Sequence, residues 1–270
     1  SMNHIAAELE HKVTELEHLS AVQQRFVSDV SHELRTPLTT IRMASEVIHS
    51  HRFSFDAASG RSAELLAAEL DRFEELLADL LEISRFDAGA AQLALDDVDL
   101  HGLSTEEVDA VQRLADESGS TLTVVATGNC VAEVDGRRIR RILRNLLTNA
   151  IEHGEGHPIV VQVAGDDKSV AIAVRDHGVG FTVAEGGQVF NRFWRADPSR
   201  GRRVGGTGLG LSIALEDARL HGGWLTAWGR PGEGAQFRLT VPRRAGDAVR
   251  SSPLPLLPDD VKEDVDAVSS

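Results

Sequence analysis

The sequence predicts an α+β protein in two parts: an N-terminal helical hairpin suited to pairing as a dimeric four-helix bundle, then an α/β sandwich. Three observations carry this. Apolar residues step by four and three along residues 5–30 and again along 66–80. Glycine and proline are absent from residues 3–36. After about residue 97 short β-rich runs alternate with helical stretches.

Residues 3–50 read as helix. Ile5, Leu9, Lys12, Leu16, Leu19, Gln23, Phe26 and Val30 form a heptad seam that is apolar at all but Lys12 and Gln23, the pattern of a parallel two-stranded coil. Residues 51–61 carry Ser54, Asp56, Ser59 and Gly60 and read as a loop. A second helix is expected over about 62–87, stopped by Asp87-Ala88-Gly89. One such hairpin has too little core to stand alone, so two copies form the bundle.

Beyond residue 97, strands are expected at Thr121–Ala126, Ile159–Val163, Val170–Val174, Leu225–Trp228 and Gln236–Val241. Helices are expected at Ser104–Ser118, Gly136–Glu152 and Leu209–His221. Together they suggest one mostly antiparallel sheet under a helical layer. Residues 246–270 hold three prolines and six acids against Arg250 and Lys262, and read as a disordered acidic tail.

A formal net charge of −14 argues against binding nucleic acid or anionic lipid. The single cysteine, Cys130, forms no internal disulfide, suits a reducing cytoplasm and reads as a buried apolar side chain. No apolar run reaches the roughly 18 residues of a membrane helix. Ser1-Met2 reads as the scar of tag removal, so the expectation is a cytoplasmic fragment whose membrane segment precedes residue 1.

Chemistry concentrates in a few segments. In Val27-Ser-Asp-Val-Ser-His32-Glu33-Leu-Arg-Thr36-Pro37-Leu38, the stripe of Val27, Val30, Leu34, Leu38 and Ile41 leaves His32 pointing into solvent. Glu33 can accept its Nδ1 proton, freeing Nε2 as a nucleophile. Pro37 removes the amide that would bond the Glu33 carbonyl, so a kink is expected just after His32. Ser31 to Leu38 resembles the H box of the HisKA-type sensor histidine kinases. The resemblance implies that His32 accepts phosphate, that Glu33 is its base, and that Thr36 positions water for dephosphorylating a partner.

Further on, Asn145 and Asn149 lie four residues apart on one helical face, where amide oxygens suit a hard cation and amide N–H groups suit phosphate. The segment Arg141 to His153 resembles the N box of the GHKL (Bergerat-fold) ATPases. That implies Mg²⁺ at Asn149, with Asn145 facing the same region. Many relatives place a cation where Glu152 stands, so phosphate charge must be met elsewhere, with His153 or the arginines of a lid as candidates. Asp176-His-Gly178-Val-Gly180 after a strand end resembles the G1 box, whose acid takes the adenine amine. Val189 to Arg195 resembles the F box. Residues 192–203 hold five arginines against Asp197, a basic lid over a triphosphate that includes Arg195. Gly205-Gly206-Thr207-Gly208-Leu209-Gly210-Leu211-Ser212 opens a helix with bare amides and resembles the G2 box. Gly232-Glu-Gly234-Ala235 resembles the last glycine box, with Ala235 where Thr is common.

These resemblances run in family order from residue 31 to 237. They imply ATP and Mg²⁺ as cofactors, a homodimer, and phosphotransfer to the receiver domain of an OmpR-type response regulator. The implied organisation is a coiled-coil signalling linker over 1–20, a dimerisation and phosphotransfer domain over 21–90, a linker over 91–97, a catalytic ATP-binding domain over 98–245 and the tail. Two other readings stay open: a GHKL ATPase that switches shape without kinase chemistry, and a catalytically weak dimer scaffold.

Overall fold

The computed structural model describes residue 34 and residues 37–89, 91–195 and 207–261. The chain divides into two compact units, 1–91 and 92–270. The expected coil over 1–20, and His32, Glu33 and Thr36, lie outside the described residues.

The first unit contains helix α1 over 37–50, a short 3-10 turn at Arg52–Ser54 and helix α2 at Ala57–Asp87. The second helix begins earlier than its hydrophobic spacing indicates. Asp56 caps it, its carboxylate accepting from the Ala58 and Ser59 amides, and this extends the helix back through residues 57–61. Arg42 ties α1 to α2 through ion pairs with Asp71 and Glu74. Leu38 and Ile83 are buried, yet Leu66, Phe73 and Leu80 of the predicted stripe remain exposed in the single chain.

The second unit starts with β1 (Asp96–Asp99), paired antiparallel with β3 (Val131–Val134). This corrects the expected 91–97 linker: the Ala94 amide already bonds Asp135, and the pairing begins at Asp96. The main sheet has the order β2-β4-β5-β7-β6, formed by Leu122–Gly128, Ile159–Gly165, Ser169–Asp176, Gly234–Pro242 and Trp224–Arg230. Its one parallel pair is β2 with β4, and the rest are antiparallel. Helices α3 (Leu100–Ser118), α4 (Gly136–His153) and α6 (Gly210–Leu220) pack beside one another, and a four-residue α5 (Val183–Gly186) lies between β5 and α6 in sequence.

The α4 sequence explains its place at the centre of the core. Ile139, Ile142, Leu143, Leu146, Leu147, Ala150 and Ile151 recur by three and one, and all are buried against the sheet residues Val161, Ile172, Val174 and Leu239. Buried acids fasten its flanks. Glu107 of α3 accepts from Arg140 and Arg144, and Asp217 of α6 accepts from Arg138 and Arg141 at 2.8 Å. Cys130 is buried, and burial pushes its thiol up. Among the described residues, no helix is long and apolar enough to cross a membrane.

The tail departs from expectation. Residues 251–261 lie against the sheet: the Thr240 hydroxyl bonds Ser252, Arg238 bonds the Leu254 carbonyl, and Gln236 bonds the carbonyls of Pro255 and Leu256. Acid content suggested disorder, but the run Pro253-Leu-Pro-Leu-Leu-Pro258 is apolar and pre-extended, so it gains from covering a sheet face. Residues 262–270 lie outside the described residues.

Candidate functional site

The site is organised by α4, which touches a glycine loop at each of two places. In its middle, the Asn145 Nδ2 donates to the Gly210 carbonyl at 2.9 Å. At its end, the His153 carbonyl accepts from the Val179 amide at 3.1 Å. A Cβ on Gly178 would sit 1.8 Å from that same carbonyl oxygen, so only glycine permits the approach. Asn149 lies one turn from each contact and shares their face. Among the described residues no group hydrogen-bonds its half-buried side chain.

Asp176 ends β5 and is almost wholly buried. Its Oδ1 accepts from the Gly178 amide at 3.0 Å and the Ala235 amide at 3.3 Å. Among the described residues no donor reaches Oδ2, which leaves one carboxylate oxygen ready to accept a hydrogen bond. Burial pushes the carboxyl above its ordinary range, with the Gly178 and Ala235 amides, Arg175 and His153 pulling the other way. Gly180 takes a φ of 62°, and a Cβ there would strike the Arg230 carbonyl.

The remaining boxes converge through backbone contacts. The Phe193 amide donates to the Gly208 carbonyl at 2.8 Å, joining the F and G2 segments. The Thr207 hydroxyl accepts from the Leu209 amide at the start of α6, and Leu209 is fully buried. Phe190 packs edge-on against Phe237 of β7.

Residues 22–89 match the His Kinase A (phospho-acceptor) domain, and residues 134–245 match the histidine kinase-, DNA gyrase B- and HSP90-like ATPase domain. The chain belongs to the sensor histidine kinases. It is 53% identical to the sensor histidine kinase MtrB of Mycobacterium leprae over 96% of this chain and 46% of that protein. Against MtrB of Mycobacterium tuberculosis the identity is 54% over the same shares. The chain thus spans about half the length of the curated relatives it matches. The full-length ShkA structure in complex with AMPPNP is 26% identical with a TM-score of 0.70, covering 85% of this chain and 47% of that one.

Seen as a histidine kinase, the chain carries its predicted nucleotide residues on three neighbouring segments. Asn145, Asn149 and His153 line α4; Asp176, Gly178 and Gly180 form the loop after β5; Thr207, Gly208, Leu209 and Gly210 open α6. An adenine nucleotide suits this donor set: Asp176 Oδ2 offers an acceptor to an exocyclic amine, and Asn149 offers an amide oxygen for a divalent cation. His153 is poorly suited to neutralising phosphate. Its rim is exposed, but the protein packed around the ring lowers its pKa below the ordinary histidine range, with Arg195 lowering it further and Asp176 opposing. Glu152 and Arg195 are both exposed, and Gly206 lies outside the described residues.

Two contributors escaped the sequence reading, and a third, Ala235, was read only as a member of its glycine box. Ala235 acts through its backbone amide, so the loss of a threonine hydroxyl leaves the Asp176 contact intact. Arg175 donates to the Asp176 carbonyl at 2.7 Å. Asp217 holds α6 to α4, and only its place on the same helical face as the buried Ile213 and Ala214 hinted at a buried role.

Proposed function

We propose that the chain binds ATP through Asp176 and the glycine loops and phosphorylates its own His32. In this reading Asn149 holds Mg²⁺ together with the phosphates. Glu33 holds the Nδ1 proton of His32 while Nε2 attacks the γ-phosphorus in line. The new N–P bond forms as the bridging P–O bond breaks, and ADP leaves. The protein supplies positioning and charge neutralisation. The phosphoryl group then passes to an aspartate on the receiver domain of an OmpR-type, MtrA-like response regulator, and Thr36 positions the water that hydrolyses the phospho-aspartate, releasing inorganic phosphate. The phosphotransfer hairpin works as a homodimer, and an upstream segment of the longer protein carries the membrane anchor.

The observation that carries this reading is the buried Asp176 carboxylate with one oxygen unclaimed, next to the Asn149 face of α4. The test is incubation with Mg-ATP labelled on the γ-phosphate, beside His32→Gln. Label that is alkali-stable, acid-labile and lost in the variant is the expected result. ATP hydrolysis without covalent label would favour the ATPase-switch reading instead.

A further inference from the structure

The ATPase-family match ends at residue 245, yet the chain beyond it is built into the second unit. The side chains of Gln236, Arg238 and Thr240 point away from the buried Phe237, Leu239 and Val241, as the alternation of a strand requires. On that outer face the tail runs antiparallel to β7, with Ser252 beside Thr240, Leu254 beside Arg238 and Leu256 beside Gln236. The tail helps explain why Ser169, Ala171, Ala173 and Arg175 of β5, on the same outer face, are also buried.

Asp260 of the tail reaches the end of β5, where Asp176 stands. Asp260 Oδ2 takes the Arg175 Nη2 at 2.8 Å and lies 3.3 Å from His177 Nε2. The other arm of Arg175, Nη1, donates to the backbone carbonyls of Asp176 at 2.7 Å and Ala235 at 3.4 Å. Asp176 and Ala235 face each other across the β5–β7 pair, and the Ala235 amide donates to the Asp176 carboxylate. His177 is pinned on its far side, its Nδ1 2.9 Å from the Pro158 carbonyl. Val261, the next residue, is buried and anchors the acid. Arg175 also lies over the Trp228 ring at 5.1 Å.

We propose that residues 251–261 form a clamp on the nucleotide site, with Asp260 a positioning residue. Through Arg175 it fixes the backbone that aims the Asp176 carboxylate. The clamp reaches only the base-binding end of the site, so its effect falls on nucleotide affinity and leaves phosphoryl transfer at saturating nucleotide untouched. The proposal rests on the reading of Asp176 as the adenine acceptor.

The experiment uses the whole chain, its Asp260→Ala variant and its Asp260→Glu variant. ADP and ATP binding are measured by calorimetry, self-labelling is measured as a function of ATP concentration, and amide exchange is followed at Gly178 and Ala235. Asp260→Ala is expected to weaken ADP and ATP by the same factor, about three- to tenfold, because a partly exposed ion pair carries no more than that. The ATP concentration for half-maximal labelling rises in step, the maximal rate holds, and exchange quickens at Gly178 and Ala235 but not at the β5 core. Asp260→Glu restores most of the affinity. Native affinity and native exchange in Asp260→Ala would overturn the clamp. A native chain that binds neither ADP nor ATP would overturn the nucleotide-site reading, and the clamp with it.

Discussion

Asn145 and Gly210 are joined side chain to backbone, the Asn145 amide donating to the Gly210 carbonyl at 2.9 Å. The contact ties the middle of α4 to the first residue of α6. A Cβ at 210 would come within 3.1 Å of Asn145 Oδ1 and press the side chain to shift by a few tenths of an ångström. Asn145 thus braces the glycine loop by a direct bond. Asn145→Ala is expected to cost about 1 kcal/mol of stability, the net worth of one hydrogen bond. It should weaken ATP about tenfold, since the loop amides lose their fixed position. Urea unfolding and calorimetry read the two quantities, and unchanged ATP affinity would count against the brace.

Asp176→Asn separates binding from folding. The Asn carbonyl can keep both bonds from Gly178 and Ala235, while its NH₂ replaces the free acceptor oxygen. Burial raises the Asp176 pKa, so the native state binds its proton more tightly than the unfolded chain and stability falls as pH rises through that window. At neutral pH the ionised form is a net cost. The variant should therefore melt no lower than the native chain, yet lose ATP binding by at least about a hundredfold, as expected when a buried acceptor is replaced by a donor.

Asp217 is fully buried between Arg138 and Arg141. Asp217→Ala leaves two guanidinium groups without their shared carboxylate. A loss of about 1.5–3 kcal/mol is expected, the worth of hydrogen bonds to a charged group, because Arg138 keeps Asp135 and the Gln92 carbonyl. Chemical denaturation of the second unit measures it, and a loss under about 1 kcal/mol would mean that the arginines find water instead.

His221 should make stability fall in mild acid. Its Nε2 accepts the Asp135 amide at 3.0 Å, and its Nδ1 lies 2.7 Å from the Asp217 carbonyl, so only the neutral Nδ1–H ring satisfies both. Burial lowers its pKa from the ordinary 6.5, with Arg138 also lowering it and Asp217 and Asp135 opposing. A lowered base contributes stability above its unfolded pKa, and that contribution is lost as pH falls from about 6.5 toward the folded value. His153 adds in the same direction. Urea midpoints at pH 7.5 and pH 5.5 should differ less in His221→Gln than in the native chain.

The exposed stripe on α2 predicts the assembly state. Leu66, Phe73 and Leu80 are about half exposed in one chain, on a face that the bundle would cover. Phe73→Glu with Leu80→Glu should yield a monomer by sedimentation, with the second unit still folded by thermal melt. A dimer that survives both charges would place the interface elsewhere.

Much of the site was legible because it is local. Asp176-x-Gly178-x-Gly180 needs glycine where backbone meets backbone, and the Asn145–Asn149 pair needs only helical periodicity to share a face. Strand β5 stood out as a continuous apolar run because both of its faces are buried, and β7 by the alternation of Phe237, Leu239 and Val241 with polar residues. Strands β1 and β3 did not. Each is four residues long, and Asp96-Asp-Val-Asp99 is acidic, held by its register with Val131–Val134 and not by any apolar pattern. His153 meets the glycine loop through its backbone carbonyl, and burial of its ring lowers its pKa, an effect of tertiary packing that no local pattern records.

The sequence alone determined that a helical hairpin precedes an α/β domain, and which residue types stand together on one helical face or in one glycine loop. Residue type and short-range spacing carry that information, because helical and strand periodicities are local. The tertiary structure alone decided that Ala235 aims Asp176 from another strand, that Asp217 joins two helices, and that an acidic tail closes over the sheet. Each joins residues about 60 to 85 positions apart. The free energy of such contacts arises from burying surfaces that meet only once the chain has folded, and no local pattern records it.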